Sequence, residues 1–148
     1  MRFCSIASGS SGNCIYVGSD NTHVLVDIGI SGKKMETGLN SLELTGRDLD
    51  GILITHEHSD HIKGLGVISR KYGIPIYATA GTIDAMVRTN ALGKIPEGIF
   101  HEIQEDEPFM INDLKVNPFT IPHDAAQPVG YRLEHEGHSV GIATDLGK

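Results

Sequence analysis

No stretch of this sequence is apolar for long enough to cross a bilayer, which takes about 20 residues as a helix. Met1-Arg2-Phe3-Cys4-Ser5 is not followed by the apolar core of a secretory leader. Cysteine is scarce. Cys4 and Cys14 are the only two, too few for a disulfide framework of the secreted kind. They flank a Gly/Ser-rich turn and could face one another on paired strands, but two reduced thiols in a cytoplasmic protein are the expected state. Basic residues are also short. Twelve Lys and Arg stand against nineteen Asp and Glu, a net charge of −7, which weighs against a strong, indiscriminate nucleic-acid binder. The weight is small, because carboxylates gathered for a metal count toward that acidity and a bound ion offsets them. Internal repeats, linkers and low-complexity segments are missing too.

What is present suits one packed domain: 148 residues, 39% hydrophobic and 21% charged. Phe3 to Ala7 and Asn13 to Val17 read as strands of a hairpin around Ser8-Gly9-Ser10-Ser11-Gly12. That turn lacks the Gly-Lys-Ser/Thr ending and the following helix of a phosphate loop. His23 to Asp27 forms a third strand. A helix follows from Gly32 to Leu44 behind Ser31, with Met35, Leu39 and Leu42 on its core side. Asp50 to Thr55 reads as a buried strand. A helix is expected from His61 to Tyr72, then a strand from Ile74 to Ala78 and a helix capped by Thr82 reaching Asn90. Residues 91–108 hold several Gly/Pro breaks and a short strand near Phe100. Leu114 to Thr120 is a strand, and Val129 to Glu134 pairs with Ser139 to Thr144 over a turn at Glu136-Gly137. Strands, then strand–helix alternation, then strands again give an α/β class with a mixed sheet.

Histidine carries the chemistry. The chain has eight, and three fall within Thr55-His56-Glu57-His58-Ser59-Asp60-His61. In extended backbone, residues two apart point the same way, so His56, His58 and Asp60 converge while Glu57 points away. His61 turns off where the helix begins. Imidazole and carboxylate suit zinc, manganese or iron. Four such groups in six residues exceed what one ion takes from one segment, which favours two ions side by side. His135-Glu136-Gly137-His138 has the wrong spacing for a helical zinc motif and sits at a turn. His23 and His101 have no partner at ligand spacing, and Asp124 reads equally as a turn residue or as a group orienting a ligand.

The histidine stretch resembles the His-x-His-x-Asp-His signature of the metallo-β-lactamase superfamily. The resemblance runs from about residue 3 to residue 147. It implies that His56, His58 and His123, in Thr120-Ile121-Pro122-His123-Asp124, hold one metal. Asp60 and His61 would hold the other, and Asp145, in Ala143-Thr144-Asp145-Leu146-Gly147, would bridge them. Asp27, in Leu25-Val26-Asp27-Ile28-Gly29, would stand behind the ligands and orient the histidine loop. The Ala7-to-Asn13 turn together with Pro122-His123-Asp124 is similar to the YycJ/WalJ-type branch. That branch implies a bacterial cytoplasmic DNA exonuclease with DNA as substrate partner and no membrane association.

The implied fold is the family's αββα sandwich, two β-then-α halves, of which this chain covers the first half and the start of the second. The family's final histidine, beyond the bridging Asp, has no counterpart here. The chain is therefore expected to be C-terminally truncated, with a homodimer or another association through the incomplete sandwich face as a way to complete it. The implied mechanism is hydrolysis by a hydroxide shared between two divalent ions, zinc or manganese ahead of iron, with Asp60 also orienting the nucleophile. Alternatives within the same ligand set are a small-ester or thioester hydrolase, lactonase or glyoxalase-like, and a catalytically incomplete metal-binding fragment. A redox relative would carry a carboxylate where this chain has His58.

Overall fold

A computed structural model describes residues 1–9 and 11–143. Asp145 therefore lies outside the described residues. Six strands make the first sheet: β1 (Arg2–Ala7), β2 (Cys14–Gly18), β3 (His23–Val26), β4 (Gly51–Leu53), β5 (Ile76–Thr79) and β6 (Phe100–Ile103), side by side in that order. The first three pair antiparallel, and β3 through β6 pair in parallel. The parallel half is linked by helices, as parallel neighbours require: α1 (Gly32–Ser41), α2 (Ser59–Ile62), α3 (Leu65–Tyr72) and α4 (Ala80–Arg88). A second, antiparallel sheet runs β10-β9-β8-β7, formed by β7 (Phe109–Ile111), β8 (Leu114–Thr120), β9 (Val129–His135) and β10 (His138–Ile142).

Side-chain alternation sorts the core into two layers. Tyr16, Leu25, Ile52 and Ile76 face the helices and pack with Met35, Leu39, Leu65, Ile68 and Met86. Val17, Val24, Val26 and Leu53, their alternates along the strands, face the second sheet and meet Leu114, Val116, Val129, Tyr131 and Leu133. Strands β3 and β4 are thus apolar on both faces, as a strand covered on both sides must be. On the other face of the second sheet Met110, Lys115 and Arg132 are exposed, and no helix covers them among the described residues. The result is a mixed α/β sandwich of one helical layer and two sheets.

Tyr131 is fully buried between the sheets and its hydroxyl donates to the Ile54 carbonyl at 2.7 Å, just upstream of the histidine loop. Tyr131→Phe strands that carbonyl in an apolar layer. The expected loss is about 1–3 kcal/mol, read as a lower urea midpoint at unchanged slope.

Several sequence expectations need correction. The helix expected from His61 is two helices, broken at Lys63-Gly64. Gly64 donates to the Ile28 carbonyl at 2.8 Å, and a Cβ there would sit 2.3 Å from the Ile30 carbonyl oxygen. Long-range backbone contact, not local propensity, ends the first turn. The helix expected to be capped by Thr82 starts earlier: Thr79, the last residue of β5, accepts from the Thr82 backbone N–H. Strand β7 was not foreseen. Cys4 pairs opposite Tyr16, and Cys14 opposite Ala7, so the cysteines do not face one another; both are free. Helix α1 stops at Ser41 rather than Leu44. Strand β8 and the Glu136-Gly137 turn, both at positive φ (47° and 81°), lie where the sequence places them.

Candidate metal centre

The site forms where β3, β4 and β8 end. Beyond β4, Ile54 continues the ladder, donating to the Tyr77 carbonyl at 3.0 Å. The chain then runs buried through Thr55 and His56. Alternation puts His56 and His58 on one side, their rings 4.7 Å apart and nearly perpendicular. His123 reaches the same point from the loop after β8, its Nε2 lying 3.3 Å from His58 Nδ1. One ligand atom from each of His56, His58 and His123 falls within 4.8 Å of the others. Asp60 and His61 lie next to this trio: the His61 ring is 3.9 Å from that of His56, and its Nε2 is 3.6 Å from Asp60 Oδ2.

Behind these side chains stands Asp27, fully buried at the end of β3 with φ +65°. An Asp tolerates this left-handed backbone better than most residues. Its Oδ1 accepts from the Thr55 backbone N–H at 2.8 Å, and its Oδ2 accepts from the Thr55 hydroxyl at 2.7 Å and from His61 Nδ1 at 2.6 Å. Burial pushes the Asp27 carboxyl up from its usual range, while the His61 and Thr55 donors pull it back. The proton pattern follows from counting hydrogens. His61 Nδ1 carries the hydrogen given to Asp27, so its Nε2 holds a lone pair. The single Thr55 hydroxyl hydrogen goes to Asp27, so at 3.0 Å Thr55 Oγ1 accepts from His56 Nδ1. The His56 Nε2 is then also the basic nitrogen. One buried carboxylate thus sets the tautomer of two rings, one directly and one through a hydroxyl.

The His123 loop is tied down by residues that no motif marks. Glu57 Oε2 accepts from the Ala126 backbone N–H at 3.0 Å, so the residue between the two loop histidines faces away from them and grips the other sheet's loop. Gln127 accepts from Thr79 Oγ1 and the Gly81 N–H, both at 2.8 Å, and donates to Glu105 at 2.7 Å. Val129 N–H donates to the Thr55 carbonyl at 2.9 Å. Asp124 is exposed. Away from the site, His135 donates from Nδ1 to the Asp113 carbonyl, and His23 pairs with the Tyr16 hydroxyl at 2.6 Å. The His101 ring packs tilted against Tyr77, centroids 5.0 Å apart.

The donor set suits a divalent ion. Ligand nitrogens about 2.0–2.1 Å from a tetrahedral centre lie about 3.3–3.4 Å apart, and the His58–His123 nitrogens lie 3.3 Å apart. Two rings with their remaining N–H engaged and basic nitrogens turned inward are the other requirement for ligation.

Comparison with known proteins shows the family. Residues 22–148 match the model of the β-lactamase superfamily domain. The chain belongs to the metallo-β-lactamase superfamily. It is 42% identical over 147 residues to exodeoxyribonuclease YycJ of Bacillus anthracis, covering 99% of this chain and 55% of that protein. It is 40% identical to exodeoxyribonuclease WalJ of Streptococcus pneumoniae over the same shares. The chain thus spans about half the length of the curated relatives it matches. A Cronobacter sakazakii metallo-β-lactamase with a HARLDQ motif superposes with a TM-score of 0.79 at 15% identity, over 94% of this chain and 54% of that one. This last likeness bears on the metallo-β-lactamase fold alone. Among the described residues no helix is long and apolar enough to cross a membrane.

Proposed function

We propose that this chain carries the metal-binding part of a two-metal phosphodiesterase, a DNA exonuclease. The observation that carries the reading is the meeting of His56, His58 and His123 from two sheets, ligand atoms within 4.8 Å, beside the Asp60–His61 pair. His56, His58 and His123 would hold one ion and Asp60 and His61 the other, with Asp145 added to the set by family resemblance. When bound, two divalent ions, zinc or manganese, supply Lewis acidity at a phosphoryl oxygen and lower the pKa of water toward neutrality. The chain's own part is to aim and to desolvate. Asp27 and Thr55 fix the ring tautomers. Asp60, 29% exposed in its side chain, stands where it can orient the attacking water as well as ligate. The choice of DNA rests on the names of relatives at 40–42% identity.

The test is a substrate panel with the full-length protein: 5′-phosphorylated double-stranded DNA beside a lactone and a thioester, each with Mn2+ and with Zn2+. DNA is expected to be the substrate cleaved, and His58→Ala to lower that cleavage about a hundredfold or more. Undiminished metal-dependent cleavage by His58→Ala would remove His58 from the centre. Faster turnover of the lactone or thioester would move the reading to a small-ester hydrolase.

A further inference from the structure

The Gly/Ser turn between β1 and β2 has no part in the ligand set, yet it touches the second ligand pair. Asn13, 6% exposed, closes that turn. Its Oδ1 accepts from the Gly9 N–H at 3.2 Å and its Nδ2 donates back to the Gly9 carbonyl at 3.1 Å. The same Nδ2 lies 3.2 Å from the Asp60 carbonyl and 3.3 Å from His61 Nε2. The Asn13 backbone repeats the attachment: its N–H donates to the Asp60 carbonyl at 2.8 Å, and its carbonyl accepts from Gly29 N–H at 2.7 Å.

An amide nitrogen has two hydrogens, and three acceptors surround this one. Two are carbonyls with fixed places. The third is the lone pair of His61, whose other nitrogen is committed to Asp27. We propose that Asn13 is the positioning residue of the Asp60–His61 ligand pair. It holds the His61 ring from the side on which an ion would bind. Once an ion takes that lone pair, the amide gives up its contact with His61 Nε2 but still has two carbonyl partners for its two hydrogens. The turn and the Asp60 carbonyl therefore stay in register with or without metal, and the His61 ring is already aimed when the ion arrives. This inference rests on the reading of Asp60 and His61 as the second ion's ligands.

The experiment is a zinc titration of the metal-free, full-length protein, competed against a chelator, for wild type and Asn13→Ala. Wild type is expected to bind in two steps. Asn13→Ala is expected to leave the first within twofold and to weaken the second about 10–100-fold. A role confined to closing the turn predicts a lower Tm with both steps shifted alike, and that result would overturn the proposal. So would a second step equal to wild type. Asn13→Asp covers the case in which the alanine variant fails to fold. It keeps the acceptor for Gly9 N–H and removes both donors, and it must move the second step alone; moving neither step, or both, counts against Asn13. A wild type that binds no zinc removes the metal-centre reading itself, whereas a two-step wild type beside an unchanged variant removes only the role of Asn13.

Discussion

Asp27→Ala is expected to destabilise the fold by about 3 kcal/mol or more, since each buried donor left without its acceptor costs about 1–3 kcal/mol. Three donors lose their acceptor at once: the Thr55 N–H, the Thr55 hydroxyl and the His61 ring. Alanine also resists the backbone at φ +65°, which adds about 1 kcal/mol or more. Asp27→Asn should lose less, because Asn accepts that backbone and retains one oxygen for one of the donors. Urea unfolding in the presence of chelator should rank wild type above Asn above Ala. An alanine variant with the wild-type midpoint would show that Asp27 does not hold the histidine loop.

The second large effect comes from a residue with no side chain. At Gly29 an added Cβ would lie 1.7 Å from the Asp60 carbonyl oxygen, 2.4 Å from its carbon and 2.6 Å from the Asn13 nitrogen. All three are backbone atoms, so no rotamer change relieves the clash. Gly29→Ala must push the Asp60 segment off the strand end. The expected cost is about 1–3 kcal/mol or more, a Tm fall of about 2–4 °C per kcal/mol at this chain length. The same displacement carries Asp60 away from His61, so the second zinc step should weaken along with the melt. A variant that melts and binds as wild type does would show that the Gly29, Asp60 and Asn13 backbones are not in close contact.

The parts of this molecule that were legible beforehand are those written in local pattern. His56 and His58 could be paired because a buried strand feeds them and alternation sets their direction. The Glu136-Gly137 turn could be placed because few dipeptides adopt two left-handed residues in a row. What stayed hidden depends on residues distant in sequence. Lys63-Gly64 breaks a helix because the Ile28 and Ile30 carbonyls arrive there. Strand β7 has three residues and exists through its pairing with β8. Thr55, Asn13 and Gln127 are ordinary polar residues until the fold shows which acceptors surround them. Thr55 came nearest to being visible, as the residue preceding the motif. The reading of Asp145 as a bridge still rests on family resemblance, since that residue lies outside the described set.

His58 and His123 are 65 positions apart in the chain yet meet at 3.3 Å, one attached to each sheet. A cation gripped by both closes that long loop much as a covalent cross-link would. A cross-link over such a span limits the unfolded chain by about 4 kcal/mol in the chain-entropy estimate. The two thiols form no such bond, since Cys4 and Cys14 are free. Such a staple between the layers would be ionic and reversible, its strength following the free metal concentration.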